Sequence, residues 1–193
     1  MATDVEICNM ALTRCGASPI TALDDANDKA RLCLEYYEPT VLAMLRRHPW
    51  NFAVKRVELA EDSETPLDEW EHQFALPADP YCISVLQIND GRDDFVIEGR
   101  LLLTDLETVN LRYVARVNES LFDPIFVECL VLQLASKFAY RLQVSETLRG
   151  AILQELQMTM ADARFSDAIE QRDRLEDPAN ESTWVAARHS QLT

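Results

Sequence analysis

The sequence predicts an α+β protein: an antiparallel helical bundle with an inserted small antiparallel β-sheet and an extended C-terminal tail. Apolar residues recur at helical spacing before residue 50 and after residue 118, whereas the segment between these regions alternates apolar and polar residues as β-strands do. We therefore expect residues 1–50 and 118–176 to form a helical bundle domain, and residues 51–117 to form an inserted β-sheet domain. Residues 177–193 should extend from the helical domain as a polar tail.

The stretch from Asp123 to Gln143 is the most apolar long segment of the chain. Asp123 is a suitable N-cap, and Pro124 suits the first helical position because its missing N–H costs no hydrogen bond there. Apolar residues then cover nearly the whole circumference, which is typical of a helix packed on several sides. Charged residues interrupt the stretch, so it does not resemble a membrane span. We expect it to be the central helix of the core.

Three further segments show an apolar stripe at helical spacing. Thr3 and Glu6 form a capping-box pattern at the start of the first segment. The second runs from about residue 25 to 47 and contains Pro39, which we expect to kink or divide the helix. The last spans about residues 145–174 and should pack against the central helix through a short connection.

The middle of the chain contains short segments with strand-like alternation. The strand candidates lie at residues 52–59, 70–76, 83–86, 95–97, 101–103 and 109–117. A turn is expected at the Asn-Asp-Gly run of residues 89–91, and a hairpin around Gly99. Together these segments predict one small antiparallel sheet.

The charge balance limits the possible classes of function. The chain of 193 residues has 33 acidic and 18 basic residues, which gives a net charge of −15. This balance argues against a protein that grips nucleic-acid phosphates, because such proteins cluster Lys and Arg. It is compatible with a surface that DNA slides past, and also with solubility alone. The N-terminus lacks the basic and apolar regions of a signal peptide.

No sequence pattern indicates catalysis. The three histidines have no Cys or carboxylate partner at metal-ligand spacing, and the five cysteines are scattered on apolar faces, as is typical of reduced, buried thiols. The chain has neither a Gly-rich phosphate loop nor a G-x-S-x-G motif. We therefore expect no enzymatic activity, no metal and no cofactor.

The basic residues are concentrated in one place, formed by Arg46, Arg47, Lys55 and Arg56. Such a group predicts contact with an acidic partner surface, a neighbouring subunit or passing DNA, although a helix end followed by a solvated strand produces the same pattern. Trp50 and Phe52 lie inside this group. Because buried aromatic side chains bring a large apolar area to a junction, we expect them to seal the point where helix gives way to sheet.

The segment Leu45–Ala53, LRRHPWNFA, resembles the hallmark of the tail tubular protein A family of short-tailed bacteriophages. Further stretches resemble that family in the same order: Ala30–Cys33, Phe74–Asp79, Ile97–Leu102, Leu111–Val114, Phe122–Phe126, Ala161–Arg164 and Asp167. The likeness covers about residues 3–173. Single pieces are weak signals, but the ordered set of them is fairly specific.

The resemblance implies a structural virion protein, a head-to-tail adaptor in the tail or neck that is assembled in the host cytoplasm. Such adaptors form a homo-oligomeric ring, usually a dodecamer, between the portal protein and the tail nozzle protein. DNA passes through the channel without specific binding, and no membrane takes part. The helical part generally meets the portal and the sheet part reaches the nozzle. Alternatives are another phage connector, such as a stopper or neck protein, or a tail-associated glycan hydrolase.

The tail of residues 177–193 contains one large aromatic residue, Trp184. Terminal extensions of the family that the sequence resembles often pack on the portal. Since aromatic side chains often dominate interface energy, we expect Trp184, Val185 and Arg188 to dock on the portal.

Overall fold

The computed structural model of the protein describes residues 2–64, 66, 69–91 and 93–170. In chain order the helices and strands within these residues are α1 (Asp4–Arg14), α2 (Asp28–Arg46), β1 (Val54–Leu59), β2 (His72–Ala75), β3 (Cys82–Ile88), β4 (Val96–Glu98), β5 (Leu101–Thr104), β6 (Val109–Ala115), α3 (Pro124–Arg141) and α4 (Glu146–Glu170). Short 3₁₀ turns at Asn51–Ala53 and Glu119–Leu121 lie just before β1 and α3.

Helix α3 is the core helix that its sequence predicts. The carboxylate of Asp123 accepts hydrogen bonds from the backbone N–H groups of Ile125 and Phe126, and Pro124 occupies the first turn. Helices α1, α2 and α4 all pack against α3. Neither α3 nor any other helix in the described part of the chain has the length and apolar character that crossing a membrane requires.

The local signals of α1 and α2 are mostly confirmed. Thr3 and Glu6 form the predicted capping box at the start of α1. Helix α2, however, runs from residue 28 to 46 without interruption, so the expectation that Pro39 might divide it is wrong. Pro39 lies on the exposed side of α2, and the Glu35 carbonyl that loses its N–H partner belongs to an exposed residue. Water can therefore satisfy that carbonyl, and the helix continues.

The prediction of one inserted sheet within a helical bundle is wrong. The described residues form an α+β fold with two separate three-stranded antiparallel sheets, in the orders β1-β6-β3 and β2-β5-β4. Alternation along a sequence predicts which residues share a face, but it does not identify the strand that supplies the hydrogen-bonding partner. Here β6 pairs with β1 and β3, whereas β2 pairs with the predicted β4–β5 hairpin. The α+β class is retained, and this two-sheet architecture replaces the predicted one.

The buried side chains of the helices and both sheets form one cluster. It includes Leu12 of α1, Met44 of α2, Leu102 of β5, Leu111 of β6 and Phe126 of α3, all of which are fully buried. The segment between α2 and β1 crosses this cluster, so its side chains are positioned by helices and strands together.

Candidate interaction sites

Trp50 anchors the segment that joins α2 to β1. Its side chain is 2% exposed, and its indole N–H donates to the backbone carbonyl of Met44 at 3.1 Å. The ring lies 5.1 Å from that of Phe126 and 6.2 Å from that of Phe52. Phe52 also contacts Phe122, which extends the aromatic cluster towards the start of α3. The prediction that Trp50 and Phe52 seal the junction is confirmed.

Asp167 fastens α4 to the same segment. One carboxylate oxygen accepts from the backbone N–H of Asn51 at 2.9 Å, and the other lies 2.9 Å from Nε2 of His48. The side-chain amide of Asn51 donates to the backbone carbonyl of Asp167 at 2.7 Å. This contact fixes the position of α4 close to Glu170, where the described part of the helix ends. No local sequence signal could have found it, because His48 and Asp167 are 119 residues apart.

Arg46 and Arg47, which the sequence suggested as partner contacts, make hydrogen bonds within the chain. Arg46 donates to the backbone carbonyl of Ile83 at 2.6 Å, and so links α2 to β3. Arg47 donates to the side-chain carbonyl of Gln133 at 3.0 Å, and so links α2 to α3. Both side chains therefore stabilise contacts within the fold, whether or not they also contact a partner protein.

Lys55 and Arg56 occupy successive positions of β1, so their side chains point to opposite faces of the sheet. Arg56 lies directly opposite Arg112 of β6, and Gln87 of β3 lies opposite Arg112 on its other side. No sequence pattern connects Arg112 or Gln87 with Arg56, because only the strand register brings them together. The four basic residues therefore do not form one group, because Arg46 and Arg47 contact β3 and α3, whereas Arg56 lies beside Arg112 on the sheet.

Arg116 is a partly buried arginine whose charge is balanced by two carboxylates of the same chain. Its guanidinium contacts both oxygens of Glu38 at 2.9 Å and one oxygen of Glu119 at 2.5 Å. Burial favours the neutral form of Glu119, but the hydrogen bonds and charge of Arg116 outweigh it and lower the pKa of the carboxyl. Burial likewise acts to lower the pKa of Arg116, and the two carboxylates raise it overall. Arg116 and Glu119 are therefore charged at neutral pH, and the guanidinium of Arg116 is paired with both carboxylates.

Helix α4 has a second apolar face that nothing in the described part of the chain covers. Its buried residues Ile152, Leu156, Met160 and Ala163 face the core. Met158, Phe165 and Ile169 are 63%, 70% and 63% exposed. With 3.6 residues per turn they lie on the opposite side of the helix from the buried set. We call these three residues the outer stripe of α4.

A concave groove of about 960 Å³ lies between α1 and the first half of α3. Apolar side chains of Met10, Pro124, Val127 and Val131 line it, together with polar residues that include Glu6 and Glu128. Met10 is 41% exposed. The described surface therefore offers a protruding apolar stripe on α4 and a recessed, largely apolar groove on α1 and α3.

Four of the five thiols are buried. Within the described ranges, no group of three or more His, Cys, Asp or Glu side chains is placed to hold a metal ion. Cys8, Cys33, Cys82 and Cys129 are buried, as predicted, whereas Cys15 is partly exposed. A hydrogen bond with Cys33, together with burial, raises the pKa of the Cys8 thiol.

Comparison with other proteins does not identify a family. No family model matches the chain, and no curated protein matches it at a significant level. The tail of residues 177–193, with the predicted portal-docking residues Trp184, Val185 and Arg188, lies outside the described residues. The functional proposal therefore rests on the surfaces described above and on the resemblance of the sequence.

Proposed function

We propose that this protein is a head-to-tail adaptor of a short-tailed bacteriophage, and that its copies form a ring between the portal protein and the tail nozzle with a channel for DNA. The ordered set of motifs from residue 3 to 173 supports this proposal. The observation that supports it most among the described residues is the outer stripe of α4. Large apolar side chains exposed along one face of a helix point to an interaction site, because a solitary soluble protein gains nothing from exposing them.

The outer stripe and the α1–α3 groove are two different surfaces of one chain. If the stripe of one copy enters the groove of the next, the contact is heterologous, and repetition of such a contact closes a ring when the rotation between neighbours permits. The stripe extends from residue 158 to 169, which is about 17 Å at 1.5 Å per residue. A groove of about 960 Å³ is large enough to receive side chains of the size of Phe165 and Met158.

The charge of the chain suits a channel through which DNA moves. A subunit with a net charge of −15 repels phosphates, and a ring of such subunits keeps the duplex from adhering to the wall. The proposed adaptor acts through shape and contact, and it makes or breaks no covalent bond.

The ring contact is tested by the double substitution Met158→Gln with Phe165→Gln. Since both side chains are more than half exposed, we expect the fold to be unaffected. Self-association on the portal should weaken by about tenfold or more, because two apolar anchors of the interface are lost. The measurement is electron microscopy and sedimentation of the chain mixed with the portal protein of the same phage.

The matched control is Leu34→Gln, at a residue of α2 that is 61% exposed. Rings that form equally well in the double variant would contradict the proposed contact, and a wild-type chain that does not associate with the portal would contradict the adaptor function.

Portal docking is tested by a chain that ends at Pro178. We expect this chain to fold normally, because it retains all the helices, strands and buried side chains found within residues 2–170. Its binding to the portal should weaken, since Trp184, Val185 and Arg188 are absent. A pull-down titration against immobilised portal gives the measurement, with Trp184→Ala in the full chain as the finer variant. Equal portal binding by the truncated and full chains would refute docking through the tail.

A further inference from the structure

Two arginines lie side by side on the outer face of the β1-β6-β3 sheet. Arg56 and Arg112 are direct cross-strand neighbours in the antiparallel ladder, so their side chains project from the same face. Neighbouring strands lie about 4.8 Å apart, which places the two side chains within reach of a single ligand. Gln87 continues the same row on β3. We call Arg56, Arg112 and Gln87 the arginine row.

The positive charge of the arginine row is not compensated within the described part of the chain. Like charges directly opposite each other destabilise a sheet. The protein has 33 acidic residues, yet no described carboxylate lies within 4.0 Å of either guanidinium. Arg116, by contrast, is paired with two carboxylates. The Nε atom of Arg112 is buried and has no hydrogen-bond partner. No described carboxylate therefore contacts either guanidinium directly, although Glu58 lies on the same face of the sheet.

The surroundings of the arginine row also fit an anionic ligand. A shallow depression of about 390 Å³ lies over the row, and the amide side chains of Asn89 and Asn110 line it together with Gln87. Amide groups donate hydrogen bonds without adding charge. The side-chain amide of Asn89 already donates to Asp93 and Thr108, and Gln87 donates one N–H to the Asn89 carbonyl, so the donors left for a ligand are the second N–H of Gln87 and the amide of Asn110. Glu58 is the one carboxylate among the described residues that line the depression, and it lies opposite Asn110.

We propose that the arginine row binds carboxylates of an acidic polypeptide segment of a partner protein. Guanidinium groups form paired, charge-assisted hydrogen bonds with carboxylates, and two guanidinium groups in one row can hold one carboxylate between them or two in succession. Charge complementarity selects a peptide rather than a nucleic acid. A duplex brings one negative charge for about every 1.7 Å of its length, and the net charge of −15 opposes the approach of so many charges. A short acidic segment brings only a few. This inference does not depend on the adaptor proposal.

The test measures binding of a fluorescein-labelled hexaglutamate peptide to the full chain by fluorescence anisotropy at low salt. We expect binding by the wild type, and binding that is weaker by about tenfold in Arg112→Gln and in Arg56→Gln, since each loses a charged hydrogen-bond donor. The matched control is Arg31→Gln, which makes the same change of net charge at an arginine whose side chain is 77% exposed on α2. Glu58→Gln should bind more tightly, because it removes the carboxylate that borders the site.

Three outcomes would overturn the proposal. The first is the absence of peptide binding by the wild type, and the second is equal affinity of Arg112→Gln and Arg31→Gln for the peptide. The third is tighter binding of a single-stranded hexanucleotide than of the peptide, which would assign the row to nucleic acid instead. Melting temperatures separate loss of binding from loss of fold. We expect Arg56→Gln to melt no lower than the wild type, because the substitution removes the repulsion between the two arginines.

Discussion

Replacement of Trp50 by alanine is expected to lower the free energy of unfolding by about 3–5 kcal/mol, the usual cost of truncating a fully buried large aromatic side chain. Trp50 is 2% exposed and lies against Phe52 and Phe126. Its loss opens a cavity where α2, α3 and the start of β1 meet. It also removes the donor to the Met44 carbonyl, which is part of the buried interior. Urea denaturation followed by circular dichroism gives the measurement.

Two further variants separate the contributions of Trp50. Trp50→Phe keeps much of the ring contact but removes the indole N–H, so we expect a smaller loss, of about 1–2 kcal/mol. Trp70→Ala makes the same truncation at a tryptophan that is only partly buried, and it should cost less than Trp50→Ala. If Trp50→Ala and Trp70→Ala destabilise the protein equally, Trp50 is not the anchor of the junction.

The helices were predictable because their signals are local. The Thr3 capping box and the Asp123-Pro124 start of α3 each depend on residues that are at most a turn apart, and both are found as predicted. The sequence alone did not show that α2 continues through Pro39, because the effect of a proline depends on whether the carbonyl that loses its N–H partner, here that of Glu35, faces solvent. That direction is set by the exposed side of α2, which follows from tertiary packing.

The sheets were only half predictable. Alternation located most of the strands and the hairpin at Gly99, whose φ of 59° suits a glycine. It did not reveal that β6 lies between β1 and β3, or that β2 belongs to the other sheet. Strand pairing depends on tertiary packing between segments that are far apart in the sequence, so the alternation within one strand does not predict its partner strand.

Among the candidate sites, those formed by residues close in the sequence were predictable, and those formed by distant residues were not. The aromatic junction could be inferred because Trp50 and Phe52 are close together in the sequence and lie where the periodicity changes. The arginine row could not, because Arg56 and Arg112 meet only through the β1–β6 register. The contact of Asp167 with His48 and Asn51 was also missed, since the partners come from opposite ends of the chain.

The missed contact at Asp167 has the second large expected effect. Asp167→Ala should lower the free energy of unfolding by about 3 kcal/mol, because it leaves the partly buried N–H of Asn51 without an acceptor and His48 without its carboxylate. The side chain is 9% exposed, so water replaces these bonds poorly. Asp167→Asn keeps an acceptor for the Asn51 N–H, and should cost less than the alanine variant.

Asp162 is the matched control, since it is an exposed aspartate on the same helix. Asp162→Ala should change the free energy of unfolding by no more than about 0.5 kcal/mol. Equal losses in Asp162→Ala and Asp167→Ala, measured by urea denaturation, would mean that the contact does not hold α4 in place.

The contact of Asp167 with His48 and Asn51 also matters for the proposed assembly. The outer stripe lies on α4 between residues 158 and 169, so a helix that detaches at Asp167 no longer presents Phe165 and Ile169 in a fixed position. We therefore expect Asp167→Asn, even under conditions where it remains folded, to weaken ring formation on the portal, whereas Asp28→Asn, at an exposed aspartate on α2, should leave it unchanged.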